Sequence, residues 1–199
     1  MTRSAACYLL VLTSLVPPGL PTDDQALARN VAAVVETFDR LRAPLAVDAG
    51  HLKAAIAKAD AARLEQLLDP LALLTVTINP ESRVKVARGE APAELRLGTA
   101  VPVLVKVVND AGVTAALRPS SPQGDPGAKD RLLDLAMVTD KTLSAALSGR
   151  PVEYAVLLVT CREAGRREAT LGFDVGQGTQ DLGFRGEVAV LFSVRAAGR

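Results

Sequence analysis

Three glycines lie close together in the stretch DVGQGTQDLGF, residues 174–184, directly after a segment that is typical of a β-strand. A dinucleotide-binding loop has the spacing Gly-x-Gly-x-x-Gly and opens a helix, whose N-terminus binds the phosphates. Counted from Gly176, the third glycine would stand where the chain has Asp181, and the next glycine is Gly183. The residues after Phe184 alternate as in a strand, so we interpret the stretch as a surface connection between two strands.

Nucleophilic catalysis and zinc binding both need several cooperating side chains, whereas this chain has one histidine and two cysteines. His51 lies near the start of a predicted helix, where we expect a solvated or capping side chain. Cys161 lies in a predicted interior strand, where a buried thiol behaves as a small apolar side chain. The sequence therefore predicts no catalytic residue, no metal site and no cofactor, and we expect a protein that is not an enzyme.

Acidic residues occur in two groups that could act as ligands. Asp23 and Asp24 stand at a predicted helix start, where negative charge complements the helix dipole. Asp125, Asp130 and Asp134 surround a loop rich in Gly and Pro and could offer oxygen ligands to Ca²⁺. Their spacing is not that of a calcium-binding loop, so the sequence leaves open whether these three residues bind a cation.

A third charged group lies at the tip of a predicted hairpin. It contains Arg162, Arg166 and Arg167, with Glu163 and Glu168 interleaved. Mixed charges at a hairpin tip favour a solvated turn that discourages edge pairing, and a contact with a phosphate or a partner is the alternative.

The composition excludes several classes of function. The chain has 199 residues, of which 49% are hydrophobic, so it can build one domain with a real core. Aromatic residues make up 3% and there is no Trp, which disfavours the aromatic platforms of glycosidases and sugar-binding clefts. The 23 basic and 22 acidic residues nearly cancel, so there is no electrostatic case for binding nucleic acid or an anionic membrane.

The N-terminal segment, residues 1–20, has the layout of a secretory signal peptide. Arg3 precedes an apolar run that ends at Val16 and is followed by Pro-Pro-Gly. The run has about a dozen residues, fewer than the roughly 20 of a membrane-spanning helix. An uncleaved anchor, which would be the chain's membrane contact, and a buried helix are the alternatives. Cleavage would remove Cys7 and leave Cys161 alone, so we expect a secreted or periplasmic bacterial protein without an intrachain disulfide.

Two amphipathic helices are predicted within residues 21–70. The first begins with a capping box at Thr22–Gln25, and Pro44 ends it or begins the connection that follows; the second starts after Asp48 and runs to Leu68. Their apolar positions recur at steps of three and four: Leu27, Val31, Val34, Val35, Phe38 and Leu41 in the first helix, and Leu52, Ile56, Leu64, Leu67 and Leu68 in the second. This pattern predicts a helical hairpin.

From residue 71 to residue 199 the apolar period changes to two. Gly, Pro and Asn turn signals separate short alternating segments, and no helical pattern lies between them. The predicted strands are 73–78, 83–87, 101–108, 113–117, 132–138, 152–162, 167–175 and 188–194, with a possible further strand or helical turn at 143–147 and a surface loop at 118–127. Such a series predicts an antiparallel β-sandwich.

Two of these strands, 152–162 and 188–194, are apolar on both faces, and such strands are covered on both faces. We expect the helical hairpin to cover the outer side of one sheet. A self-association interface is the alternative cover.

The run from Leu73 to Leu117 resembles the first strands of immunoglobulin-like domains in secreted bacterial proteins. It has a strand, Pro80, Gly98, a strand of alternating valines and the turn Asn-Asp-Ala-Gly at 109–112. The resemblance extends to the C-terminus and is to a broad class, because the Cys-Trp-Cys core of antibody domains is absent. It implies an adhesion, spacer or accessory module.

Together these patterns predict an α+β protein with three parts: a signal peptide at 1–20, a helical hairpin at 21–70 and an immunoglobulin-like sandwich at 71–199. The expected function is that of an exported, non-enzymatic structural or protein-interaction module of the bacterial envelope. Its partner would be an unknown protein or a second copy of the chain. The alternative is an accessory domain that binds a small ligand or a polysaccharide.

Overall fold

The computed structural model describes residues 21–125, 127, 131–176 and 185–196. The predicted signal peptide, Asp130 and the greater part of the glycine-rich stretch lie outside the described residues. The helices are α1 (Asp23–Arg40), α2 (Ala49–Lys58) and α3 (Ala61–Leu68); the strands are β1 (Ala72–Ile78), β2 (Val84–Arg88), β3 (Glu94–Arg96), β4 (Val101–Asn109), β5 (Arg118–Ser120), β6 (Leu133–Met137), β7 (Val152–Cys161), β8 (Gly165–Asp174) and β9 (Arg185–Arg195).

Helix α1 begins and packs as its sequence predicts. Thr22 Oγ1 accepts a hydrogen bond from the Gln25 backbone N–H, and the Gln25 side chain accepts one from the Thr22 N–H, which completes the capping box. The apolar stripe is buried or half-buried against the strands, except for Leu41 at the C-terminal end, which is 36% exposed. None of the helices in the described ranges is both long and apolar enough to cross a membrane.

The predicted second helix is broken into two, so the helical part has three helices instead of a hairpin. The backbone at Ala59 takes a left-handed conformation with φ of 50°, which ends α2. Asp60 then caps α3, because its carboxylate accepts a hydrogen bond from the Arg63 N–H at 3.0 Å. A strong N-cap residue inside the apolar pattern therefore starts a new helix.

The strands form two mixed sheets, so the prediction of purely antiparallel sheets is wrong. Sheet 1 has the order β2-β1-β4-β7-β6, and sheet 2 has the order β3-β9-β8-β5. Neighbours are antiparallel except for the pairs β1–β4 and β3–β9, which are parallel. Within the residues that the structure describes, three α-helices accompany two mixed sheets, which is an α+β architecture.

Local patterns located most strands but misplaced three segments. The predicted hairpin of 152–162 with 167–175 is also wrong, because β7 belongs to sheet 1 and β8 to sheet 2. Residues 113–117 and 143–147 are not strands; Ala116 and Ala146 meet in an isolated bridge. The expected loop at 118–127 instead contributes β5 at the edge of sheet 2. Strand β3 was not predicted, because its three residues are too few to display an alternating pattern.

The apolar side chains form two cores on opposite sides of sheet 1. One core fills the space between the two sheets and includes Leu74, Phe173 and Phe192. The other joins the helices to the outer face of β4 and β7, so β7 is covered on both faces as expected. The same expectation is wrong for β9, whose outward Leu191 is 48% exposed.

Candidate functional site

A cavity of about 370 Å³ lies where β6 separates from β7. Past Met137, which pairs with Leu157, the chain makes one more hydrogen bond, from Val138 N to Val156 O, and then leaves the sheet. We call the resulting space the edge cavity. It is enclosed by α1, by β7 and by the segment from Met137 to Arg150, and its volume lies in the usual range for small-molecule sites.

The wall opposite β7 is fixed at both ends. At one end Asp140 accepts hydrogen bonds from the Thr142 hydroxyl at 2.7 Å and from the Leu143 N–H at 2.9 Å, and it pairs with Arg40 of α1. These contacts, the Thr142 hydroxyl foremost, hold the pKa of Asp140 well below its usual range. At the other end Leu147 N donates to Ala115 O at 3.0 Å. The cavity is therefore bounded by ordered backbone on that side.

Asn30 of α1 closes part of the open edge of β7. Its side-chain NH₂ donates to Tyr154 O at 2.9 Å, and its oxygen accepts from Tyr154 N at 2.7 Å. This pair of bonds replaces the pair that a neighbouring strand would make at Tyr154. Asn30 thereby lets a helix satisfy a strand edge that β6 has left.

Glu153 is an acid buried at this edge. It is 9% exposed, and its two carboxylate oxygens share the Ser148 N–H at 3.0 and 3.2 Å. No Lys, Arg or His among the described residues lies within ion-pair distance of it. Burial raises the pKa of Glu153, and the hydrogen bonds from Ser148 only partly offset that effect.

Replacing Glu153 with glutamine should stabilise the protein at neutral pH by on the order of 1 kcal/mol, because the variant need not bury a charge. The folded-state pKa of Glu153 is raised, so its favourable contribution is complete below the unfolded value of 4.5 and is lost as the pH rises through the folded value. Chemical denaturation of both proteins between pH 4 and pH 8 measures this difference. It should shrink toward pH 4, and a variant that is less stable at neutral pH would contradict the prediction.

A second polar group lies under the helices, on the outer face of sheet 1. Lys106 Nζ lies 2.7 Å from a carboxylate oxygen of Glu65 and 2.7 Å from one of Asp69. The Tyr154 hydroxyl donates to the other oxygen of Asp69 at 2.6 Å, and Tyr154 stands directly opposite Lys106 in the β4–β7 pair. We call these four residues the Lys106 cluster. Its ion pairs and its hydrogen bond connect α3 and the turn that follows α3 to sheet 1.

The structure does not bring the predicted candidate residues together. His51 is exposed in the first turn of α2, where Asp48 caps the helix through the His51 N–H at 2.7 Å. Cys161 is fully buried in the core between the sheets, and its thiol donates to Glu163 O at 3.3 Å. The two residues belong to different layers and share no site.

Several of the charged candidate residues form ion pairs or hydrogen bonds with neighbouring residues. Asp134 pairs with Arg131 and, at 2.8 Å, with Arg162, and Asp125 accepts a hydrogen bond from the Gly127 N–H at 2.8 Å. Asp23 pairs with Arg150 at 2.7 Å, and Arg167 pairs with Glu163 at 2.9 Å. Within the ranges that the structure covers, no three His, Cys, Asp or Glu residues are grouped so as to hold a metal ion.

Sequence reasoning missed Asn30, Lys106 and Glu153, although each left a signal. Lys106 and Glu153 are lone charges inside strands that are otherwise apolar. Asn30 follows Leu27 by three positions and precedes Val34 by four, so it lies within the apolar stripe of α1. A polar residue at a position that the pattern buries needs a specific partner.

A scan against protein-family models gave no match, and a search of curated proteins gave none either. Two solved structures show low similarity. One is surface layer protein SbsC, domains 1–6, with 15% identity over 59% of this chain and a TM-score of 0.31; the chain spans 15% of its length. The other is the cysteine protease inhibitor EhICP2 from Entamoeba histolytica, with 10% identity over 61% of this chain and 95% of that one, and a TM-score of 0.26. Scores this low carry no argument about fold or function.

Proposed function

We propose that this chain is an exported, non-enzymatic protein-interaction module of the bacterial envelope. Its strands β4–β9 would form an immunoglobulin-like sandwich, and its partner would bind the uncovered face of sheet 2. The export step rests on the signal-like N-terminal segment. The observation that carries the binding role is the unequal coverage of the two sheets: helices cover sheet 1, whereas an apolar side chain of sheet 2 projects into solvent.

The strand order supports an immunoglobulin-like arrangement. Constant-type domains have the order A-B-E-D in one sheet and G-F-C in the other. If β4 is taken as strand B, the strands that follow it in the chain, β5 to β9, become strands C to G. The order β4-β7-β6 in sheet 1 then corresponds to B-E-D, and the order β9-β8-β5 in sheet 2 corresponds to G-F-C. The departures are β3, which is parallel to β9, and the hairpin β1–β2, which adds at the position of strand A with β1 parallel to β4.

The outward side chains of β3, β8 and β9 form the proposed binding surface, which we call the open face. Leu191 lies at its centre and is 48% exposed. Glu168 stands opposite Leu191, and Arg166 stands opposite Ser193, one row away. In the described part of the chain Arg166 and Arg96 form no ion pair, whereas Arg195 pairs with Glu94 at 2.8 Å. Glu168 and Glu187 project from the same face, so the open face carries charges of both signs. It fits a partner protein that offers an apolar contact to Leu191 and an acidic group to Arg166.

The experiment captures partners from the envelope fraction of the source organism and then measures the affinity of the purified partner. Leu191→Glu and Arg166→Glu should each weaken binding about tenfold or more, because they remove the apolar anchor or reverse a complementary charge. Leu41→Glu is the matched control, since Leu41 is 36% exposed but lies at the end of α1.

Two results would overturn this function. One is the failure to capture any protein whose binding responds to the two variants of the open face. The other is a mass that rises with concentration in light scattering and that Leu191→Glu returns to the monomer value, because the occupant of the open face would then be a second copy of the chain.

A further inference from the structure

The edge cavity is a candidate binding site separate from the open face, because it lies at the opposite sheet and under α1. Its lining includes the buried carboxylate of Glu153. A carboxylate has about four acceptor positions, and one shared N–H from Ser148 leaves most of them vacant among the described residues. A buried acid is satisfied best by a donor that also carries positive charge, such as an ammonium group.

The other side of the edge cavity carries guanidinium groups. Consecutive residues of a strand point to opposite faces, so Glu153 lies on one face of β7 while Tyr154 and the covering α1 lie on the other. Arg29 projects from α1 into the lining of the cavity and is exposed. Arg150 also lines the cavity, but its charge is balanced by Asp23 at 2.7 Å. Arg29 is thus the cation that remains for a ligand anion.

Apolar side chains make up much of the remaining lining. They include Val138, Leu143 and Val156, and the last two are buried in the core under the helices. Apolar walls bind methylene groups, and few polar groups at fixed positions set the orientation of a ligand. The lining of the edge cavity therefore combines a buried acid, apolar side chains and an exposed cation.

We propose that the edge cavity binds a small zwitterion in which an apolar chain separates a primary amine from a carboxylate. The amine would bind Glu153, the chain would contact the apolar walls, and the carboxylate would bind Arg29. Such a ligand pairs the buried carboxylate of Glu153 with a cation and the exposed guanidinium of Arg29 with an anion.

Isothermal titration of the full chain at neutral pH with linear amino acids of increasing length tests this site. Aminobutanoate, aminohexanoate and aminooctanoate, each with a terminal amine, should show saturable binding that is tightest at one length. Hexanoate, which lacks the amine, and hexylamine, which lacks the carboxylate, should bind at least about tenfold more weakly than the best probe.

Variants assign each end of the ligand. Glu153→Gln should weaken the best amino acid about tenfold and leave hexanoate unchanged, and Arg29→Gln should weaken the same amino acid and leave hexylamine unchanged. Glu36→Gln, on an exposed position of α1, is the matched control and should bind like the parent protein. Absence of saturable binding by all probes, or amino-acid binding that survives Glu153→Gln unaltered, would overturn the proposal. Thermal unfolding of each variant verifies that it is folded in the titration.

Discussion

Replacing Asn30 with alanine should lower the free energy of unfolding by about 3 kcal/mol, because the change leaves two buried backbone groups without partners. Both groups belong to Tyr154, which is 1% exposed. Its N–H and C=O point away from β4 at the place where β6 has already left the sheet, and the Asn30 side chain satisfies both. Alanine has the higher helix propensity, so the loss cannot come from α1 itself.

Urea denaturation at neutral pH measures this loss. Glu36→Ala, at an exposed position of the same helix, is the control and should change the stability by less than about 0.5 kcal/mol. Asn30→Asp adds a second comparison, because it keeps the acceptor for Tyr154 N but presents a carboxylate to Tyr154 O. It should be at least as destabilising as alanine. Equal stability of Asn30→Ala and the parent protein would mean that the two bonds to Tyr154 contribute nothing.

Local signals were sufficient wherever a structure depends on neighbouring residues. The capping box at Thr22 formed where its pattern placed it. The turn after β4 is another example: the buried Asn109 side chain donates to Val113 O at 2.8 Å and accepts from Val113 N at 3.0 Å. Residues close in sequence make all of these contacts, so periodicity and turn chemistry suffice to predict them.

The predictions failed where distant segments decide the outcome. The parallel pairs β1–β4 and β3–β9 join strands that other elements separate in the chain, and alternation along one strand contains no information about the direction of its neighbour. The two-sided apolar pattern of β9 was read as two-sided burial, although Leu191 faces solvent. The alternating pattern shows which side chains share a face of the strand, but it does not show whether another layer covers that face.

The candidate sites also divide into features that the local sequence indicates and features that depend on packing between distant segments. Composition and spacing give no reason to place His51 and Cys161 in one site, and the structure puts them in different layers. The edge cavity could not be predicted, because it forms only where β6 diverges from β7 beneath α1. Its polar residues could have been identified as unusual from the sequence. Their partners are set by the packing of α1 on β7, which no local pattern encodes.

Replacing Lys106 with methionine should destabilise the protein by about 2 kcal/mol at neutral pH, with Lys53→Met as the exposed control. The Lys106 side chain is 12% exposed and lies between Glu65 and Asp69, so its removal leaves two neighbouring carboxylates without their cation. Both carboxylates remain partly solvated, at 33% and 43% exposure, which keeps the loss below that of a fully buried pair. Chemical denaturation of the two variants and the parent protein measures the effect.

The Lys106 cluster should also set the alkaline limit of stability. Burial lowers the pKa of Lys106, but the hydrogen bonds from its ammonium group to Asp69 and Glu65 outweigh that effect and raise it. Burial, with the nearby carboxylate of Asp69, raises the pKa of the Tyr154 hydroxyl. Because both folded values lie above the unfolded ones, the stabilisation is complete below about pH 10 and is lost as the pH rises through the folded values.

A double-mutant cycle tests whether Lys106 and Tyr154 are energetically coupled or stabilise the protein independently. Lys106→Met and Tyr154→Phe should each flatten the decline in melting temperature between pH 9 and pH 11, since each removes one of the groups that titrate there. Their combined loss of stability should differ from the sum of the single losses by more than about 0.5 kcal/mol, because Asp69 bonds to both residues. Additive losses together with an unchanged alkaline decline would show that Lys106 and Tyr154 act independently, and Asp69 would then not couple α3 to sheet 1.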